Sequence, residues 1–327
     1  MNKISGIGDI WKYNIIPFIG LKIYQINYFR SVCKEFSQYI NPIKTPYLLV
    51  PSKKYTTIKD AYMAIVEYIC TKINSGIYKF MIPELWLKQG THINNIFEFN
   101  YPISVRGCCK HNTIIKNGLL YKIKNVSNNK IKISDLSLTN RNSRNDYYRA
   151  GINYSDYNSN SKLVIKNCKI FDCIGSGLKC LDGNIKIYDS KIYNNSTGIH
   201  LHGENINFRL KNLDVFNNKD GIVIGKLYNN KKYYLKNIRC FNNKGDGISV
   251  GGCSSIGIVV IYGSKTDIFN NGLNKSRNSS GISATYDGII WILDLPRSIC
   301  HHNHNNMDYL QRFNSKILFK SSEIKAN

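Results

Sequence analysis

No apolar run in this 327-residue sequence approaches the roughly 20 residues that a membrane-spanning helix needs. A helical membrane anchor is therefore not expected. The stretch from Ile15 to Leu21 is too short for a signal core, contains Pro17 and follows Asp9 instead of a basic start. An intracellular protein, in cytoplasm or nucleus and without a membrane partner, is expected. Cysteine is present but never as a Cys-x-x-Cys pair, and the ten cysteines follow no regular spacing. That argues for reduced thiols over a disulfide framework or a zinc site. Carboxylates are scarce: 21 Asp and Glu stand against 45 Lys and Arg, a formal net charge of +24. Such an excess raises nucleic acid or another polyanion as a partner. The cations do not cluster along the chain, however. Lys162, Lys166, Lys169, Lys186, Lys191, Lys211 and Lys236 alternate with apolar residues. A solvated face is the preferred reading and a polyanion groove the alternative.

What is present divides the chain in three. Residues 1–45 carry apolar side chains at helical spacing, among them Ile7, Ile10, Ile15, Ile19, Ile23 and Val32. Residues 46–80 read as a linker followed by one amphipathic helix. Thr57 opens that helix with Asp60 as its capping-box partner, and Ile58, Ala61, Ile65, Tyr68 and Ile69 form its apolar face. Its expected use is to cap the open end of a repeat array.

From residue 81 to 327 the pattern changes to short alternating strands separated by Asn, Asp and Gly. Aligned on Phe171, Tyr193, Phe216, Phe241 and Phe269, the segments repeat, with gaps that grow from 22 to 28 residues. Each unit reads as strand, turn, strand, turn, Gly, strand. The predicted fold is mainly β: a right-handed parallel β-helix, a solenoid with a small α-helical N-terminal region and a helical cap. Stacking predicts one internal column of Ile165, Ile187, Leu210 and Leu235. Asn167, Asp189, Asn212 and Asn237 are predicted at one turn. Asn194, Asn217, Asn242 and Asn270 are predicted at another, where amides on successive coils bond to each other and to the backbone. Gly177, Gly198, Gly221, Gly247 and Gly281 are assigned to a corner that needs positive φ.

Catalytic candidates are few. Hydrolysis of a glycoside needs two carboxylates about 5 to 9.5 Å apart. On stacked coils Asp172 with Asp189, or Asp220 with Asp246, meet that spacing, although Asp220 and Asp246 also fit as turn formers before Gly. His200 and His202, two apart on a strand, share a face and so share a proton or a metal, but no third ligand is near in sequence. His301, His302 and His304 lie among asparagines and read as adventitious binders. Cys168 and Cys173 read as small buried residues. No metal or cofactor is called for.

The segments TTIKDAYMAI, MIPELWLKQGTHI and ISVRGCCKHNTII, with the repeats NNSTGIHLHG, NNKDGIVIGK and NNKGDGISVGG, resemble the pectin-lyase-like parallel β-helix proteins over about four-fifths of the chain. That resemblance implies the β-helix fold and raises a carbohydrate-active enzyme, either lyase or hydrolase. The Asn-Thr-Asp strand, the Asp-Asp pair, the Gly-His-Gly turn and the Arg-x-Lys of the hydrolase branch are read as absent. FRSVCKEFSQYI, Phe29 to Ile40, resembles the end of an F-box, without the usual Leu-Pro start upstream. This likeness implies an adaptor of a cullin-type ubiquitin ligase, of the kind that large DNA viruses with AT-rich genomes encode, acting in the host cytoplasm or nucleus. Ile7, Ile10, Ile15, Ile16, Leu21 and Val32 would then bind a Skp1-type linker, and the β-helix a target protein or glycan. Three readings stand: substrate adaptor, carbohydrate-active enzyme, and structural polyanion binder.

Overall fold

The computed structural model describes residues 47–74, 84–94, 98–123, 130–141, 149–156, 161–227, 231–251, 257–273, 279–303 and 307–321. The F-box-like segment lies outside them. Every strand pairing is parallel, and partners are one coil apart in sequence, which makes the molecule a parallel β-helix. Hydrogen bonds gather the strands into a 17-stranded and a nine-stranded sheet. The larger bends along its length, so that each regular coil presents three faces.

The reason for the bend is local. Asn167, Asp189, Asn212 and Asn237 occupy the left-handed region with φ between 51° and 54°, which Asn and Asp tolerate better than other non-glycine residues. One such residue in the middle of Asn184–Tyr193, Asn207–Phe216 and Lys232–Phe241 turns each strand from the first face to the second without breaking the ladder. Side chains stack there, with Asn212 Nδ2 donating to Asp189 Oδ1 at 2.8 Å and Asn237 Nδ2 to Asn212 Oδ1 at 2.9 Å.

The predicted internal column is present, with Ile165, Ile187, Leu210 and Leu235 in register. It continues down through Ile133, Val105 and Leu85 to Leu48 and up through Ile261 and Ile292 to Phe319. The chain thus enters the solenoid at Tyr47–Val50, a strand ahead of the helix and inside the stretch expected to be linker. Helix α1, Ile58–Asn74, then leaves the coil and returns at Glu84–Leu87. Thr57 and Asp60 cap it reciprocally, each backbone N–H donating to the other's side chain at 3.1 Å. Ile58, Ala61, Ile65 and Ile69 are buried against the first coils, Tyr68 is largely exposed, and Tyr62 takes its place in the core. The helix therefore covers the end of the core, as expected.

At the second corner the buried amides stand one residue later than the alignment predicted. Asn194, Asn217, Asn242 and Asn270 supply the positive φ, and Asn195, Asn218, Asn243, Asn271 and Asn303 point inward. Asn218 shows the pattern. Its backbone N–H and Nδ2 both donate to Asn243 Oδ1, at 3.0 and 3.1 Å, and Nδ2 also donates to the Ile192 carbonyl at 3.3 Å. Asn195, Asn243 and Asn271 repeat this. Asp308 Oδ1 ends the ladder by accepting from Asn303 Nδ2 at 2.9 Å.

The glycines expected to need positive φ do not have it. Gly177, Gly198, Gly221, Gly247 and Gly281 are absent from the left-handed glycines, which include Gly90, Gly118 and Gly203. What they supply is space. A Cβ on Gly198 would lie 2.6 Å from the Gly221 carbonyl oxygen, 2.7 Å from Val215 Cγ1 and 3.1 Å from Asn218 Nδ2, so the backbone and core side chains of the next coil leave no room for a side chain.

Candidate cation face

The outer side of the first face is read along columns, because residues separated by one coil in sequence are neighbours about 4.8 Å apart in space. From Lys130 to Lys320 the strand segments on this face, those before the first corner, contain eleven lysines and arginines and not one aspartate or glutamate: Lys130, Lys132, Lys162, Lys166, Lys186, Arg209, Lys211, Lys232, Lys236, Lys316 and Lys320. Lys162, Lys166, Lys186, Lys211 and Lys236, dispersed in sequence, are thus brought to one surface. This overturns the expectation that the cations do not cluster. Alternation put each lysine on the outside, and the repeat length put the lysines over one another.

At the centre, Lys162, Lys186, Arg209, Lys231 and Lys232 line an open cleft of about 550 Å³ with Asn184, Asn207 and Tyr234. A hydrogen bond from Lys162, then burial, then the charges of Lys162, Arg209 and Lys130 hold the Lys186 ammonium down to about 8. Repulsion of this kind marks a place without an internal counter-ion. Lys232 and Tyr234 also line the adjoining cleft of about 700 Å³. There Trp291 lies under two ammonium groups, Lys320 Nζ 3.6 Å and Lys232 Nζ 4.6 Å from its ring centre.

The second face is built differently. Its charges are paired: Asp214 meets Lys191 at 3.5 Å and Arg239 at 3.6 Å, and His301 Nε2 meets Asp267 at 3.0 Å. Beside them Phe171, Tyr193, Phe216, Phe241 and Phe269 form a ladder of stacked rings, with centres 4.9 to 5.3 Å apart and planes within 8°. His301 is its top rung, 5.5 Å above Phe269. His301, set among asparagines in the sequence, is thus a member of the repeat.

Of the carboxylate pairs, Asp172 and Asp189 stand at different corners, whereas Asp220 and Asp246 are neighbours on adjacent coils, where the Asp220 charge adds to the effect of burial on Asp246. Asp189 sits at the first corner, bonded to Asn212. Asp172 sits at the second, paired with Arg141 and accepting from Asn194 Nδ2 at 3.2 Å. His200 and His202 share the outer side of the third face, their ring centres 6.1 Å apart. Burial lowers the pKa of both, and Lys179 beside His200 and Lys226 beside His202 lower it further. Asp220 and Asp246 are on successive coils at the start of that face. Burial raises the pKa of each, and Ser280 bonds Asp246 through its backbone N–H at 2.6 Å. Among the described residues no group of three or more His, Cys, Asp or Glu is placed to hold a metal. Cys168 and Cys173 are buried, and burial pushes both thiols up to about 12. His304 and the six proposed linker contacts, Ile7, Ile10, Ile15, Ile16, Leu21 and Val32, lie outside the described residues.

Arg209-Leu210-Lys211 does have the Arg-x-Lys spacing that was read as absent, a correction to that expectation, and it contributes two cations to this face.

No protein-family model matches the chain, and no curated protein does. Two solved structures are similar in shape. One is the pectate lyase Pel9A, at 12% identity and a TM-score of 0.45, covering 88% of this chain and 80% of that one. The other is the A-module of the mannuronan C-5 epimerase AlgE4 of Azotobacter vinelandii, at 11% identity and a TM-score of 0.36, covering 84% and 97%.

Proposed function

We propose that this protein binds a linear acidic polysaccharide along the outer side of its first face. The observation that carries the reading is the group of eleven cations with no carboxylate among the strand residues of that face from Lys130 to Lys320. A folded protein ordinarily intersperses its surface charges, and an unbalanced row leaves mutual repulsion that an external polyanion relieves. The cations stand in three parallel columns along the solenoid, with Lys186 and Arg209, and Lys211 and Lys236, on successive coils, while the segments Ile258–Tyr262 and Ile289–Leu293 carry none. A polymer with one carboxylate per sugar presents its charges in a comparable row, whereas duplex nucleic acid carries them on two helical rails. Binding is favoured over hydrolysis because this face offers no carboxylate pair in its strands.

The test is calorimetric titration of the full chain with polygalacturonate over a range of sodium chloride concentrations. Saturable binding that weakens steeply with salt is expected, with none to the fully methyl-esterified polymer and weaker binding to single-stranded DNA. Equal binding of the charged and esterified polymers would sink the reading. Tighter binding of DNA would replace the polysaccharide with nucleic acid.

A second reading rests on the F-box-like segment FRSVCKEFSQYI. It predicts capture of a Skp1-type linker that is lost on deleting residues 1–45 or in Ile10→Asp with Val32→Asp. No capture by the full chain ends it.

A further inference from the structure

The aromatic ladder is closed at its top by His301 and open at its bottom. Tyr193 covers one side of the Phe171 ring at 5.3 Å, with planes 8° apart. One coil below, the same column holds Thr139, then Lys116, then Ile93. A threonine does not reach as far as a ring, and the space it leaves is a cleft of about 280 Å³. That volume is near the lower end for small-molecule pockets and suits a single ring.

The lining is suited to a particular chemistry. Phe171 and Ile114 give the cleft apolar surface. Arg141 and Lys116 are its cations, and Asp172 is its one carboxylate. Asp172 is already paired with Arg141, so the lining keeps one positive charge in excess. Stacked aromatic rings prefer centres about 4.5 to 7 Å apart, and the ladder above repeats at 4.9 to 5.3 Å. A planar ring laid beneath Phe171 therefore continues an existing stack, with its charge beside Lys116.

We propose that this cleft binds a small planar aromatic acid, whose ring takes the place of the missing rung beneath Phe171, at the level of Thr139. The site is on the second face, so the inference does not depend on polysaccharide binding at the first.

The experiment is ligand-observed NMR with the full chain and three probes: benzoate, its saturated analogue cyclohexanecarboxylate, and neutral benzamide. Benzoate should bind at least fivefold more tightly than either of the others. Thr139→Phe, which supplies the rung from the chain itself, should weaken benzoate at least tenfold. Lys116→Gln should weaken it severalfold and abolish the preference over benzamide. Phe241→Leu, three rungs up, should leave the affinity within twofold. Equal binding of benzoate and the saturated acid, no binding of benzoate, or full retention in Thr139→Phe would each overturn the proposal. If Thr139→Phe does not fold, Phe171→Leu with Lys116→Gln decides in its place.

Discussion

The first and second faces are made by the same strands, yet they handle charge in opposite ways. On the second, Asp214 stands between Lys191 and Arg239, and Asp267 holds His301. On the first, Lys162, Lys186 and Arg209 press on one another with no acid on their part of the strands. A genome-wide drift toward lysine would enrich both faces alike. That the strand acids of these two faces from Lys130 upward stand on the second or at the corner between them shows that net charge is a poor guide and its placement a good one.

The comparison breaks most readily by charge reversal. Lys162→Glu, Lys186→Glu and Arg209→Glu together should weaken polygalacturonate at least 100-fold at low salt, while Lys191→Glu with Arg239→Glu should change it less than threefold. Titration of the two variants side by side checks this. Salt sharpens the contrast. For contact with four or more charges, log K should fall against log salt with a slope of about −3, by analogy with single-stranded nucleic acid at roughly 0.7 per contact. The triple variant should be nearly flat.

A smaller effect is expected from pH. Lys186, held down to about 8, is charged at pH 7 and largely neutral by pH 9, so polymer affinity should fall severalfold over that interval. The stability of the free protein should move the other way. Between about 8 and the ordinary lysine value the unfolded chain holds a proton that the folded chain has released, and stability rises with pH wherever that is so. Lys186→Met should remove both trends, as followed by titration and by urea denaturation at pH 7 and 9. The smallest change should come from Asp214→Asn. Exposed ion pairs contribute about 0 to 1 kcal/mol, so melting should shift little, but Lys191 and Arg239 would lose their acid and polymer affinity should rise about twofold.

Much of the fold was legible in the sequence because alternation and repeat length are one-dimensional signals. The column Ile165, Ile187, Leu210 and Leu235 and the Thr57–Asp60 cap were read directly and are present. The glycines were recognised for the wrong reason, since a crowded neighbour on the next coil leaves no trace within one repeat. Asn194 and its equivalents were chosen over Asn195 and its equivalents because each pair is two consecutive asparagines, and only the sense of the corner decides which points inward. The cation face was missed because neighbours on successive coils, such as Lys186 and Arg209 or Lys211 and Lys236, are more than 20 residues apart in sequence. Reading the aligned repeats down the columns instead of along the rows would have found it.

The buried asparagines have a consequence for how such a chain can change over generations. Successive members are separated by 23, 25, 28 and then 32 residues, yet every step is bridged by the same amide contact. Extra residues are therefore absorbed between one asparagine and the next, and the columns of later coils are not thrown out of line. Duplication of a coil, followed by unequal lengthening of its loops, leaves both outer faces aligned, so new surface can be gained without redesigning the core.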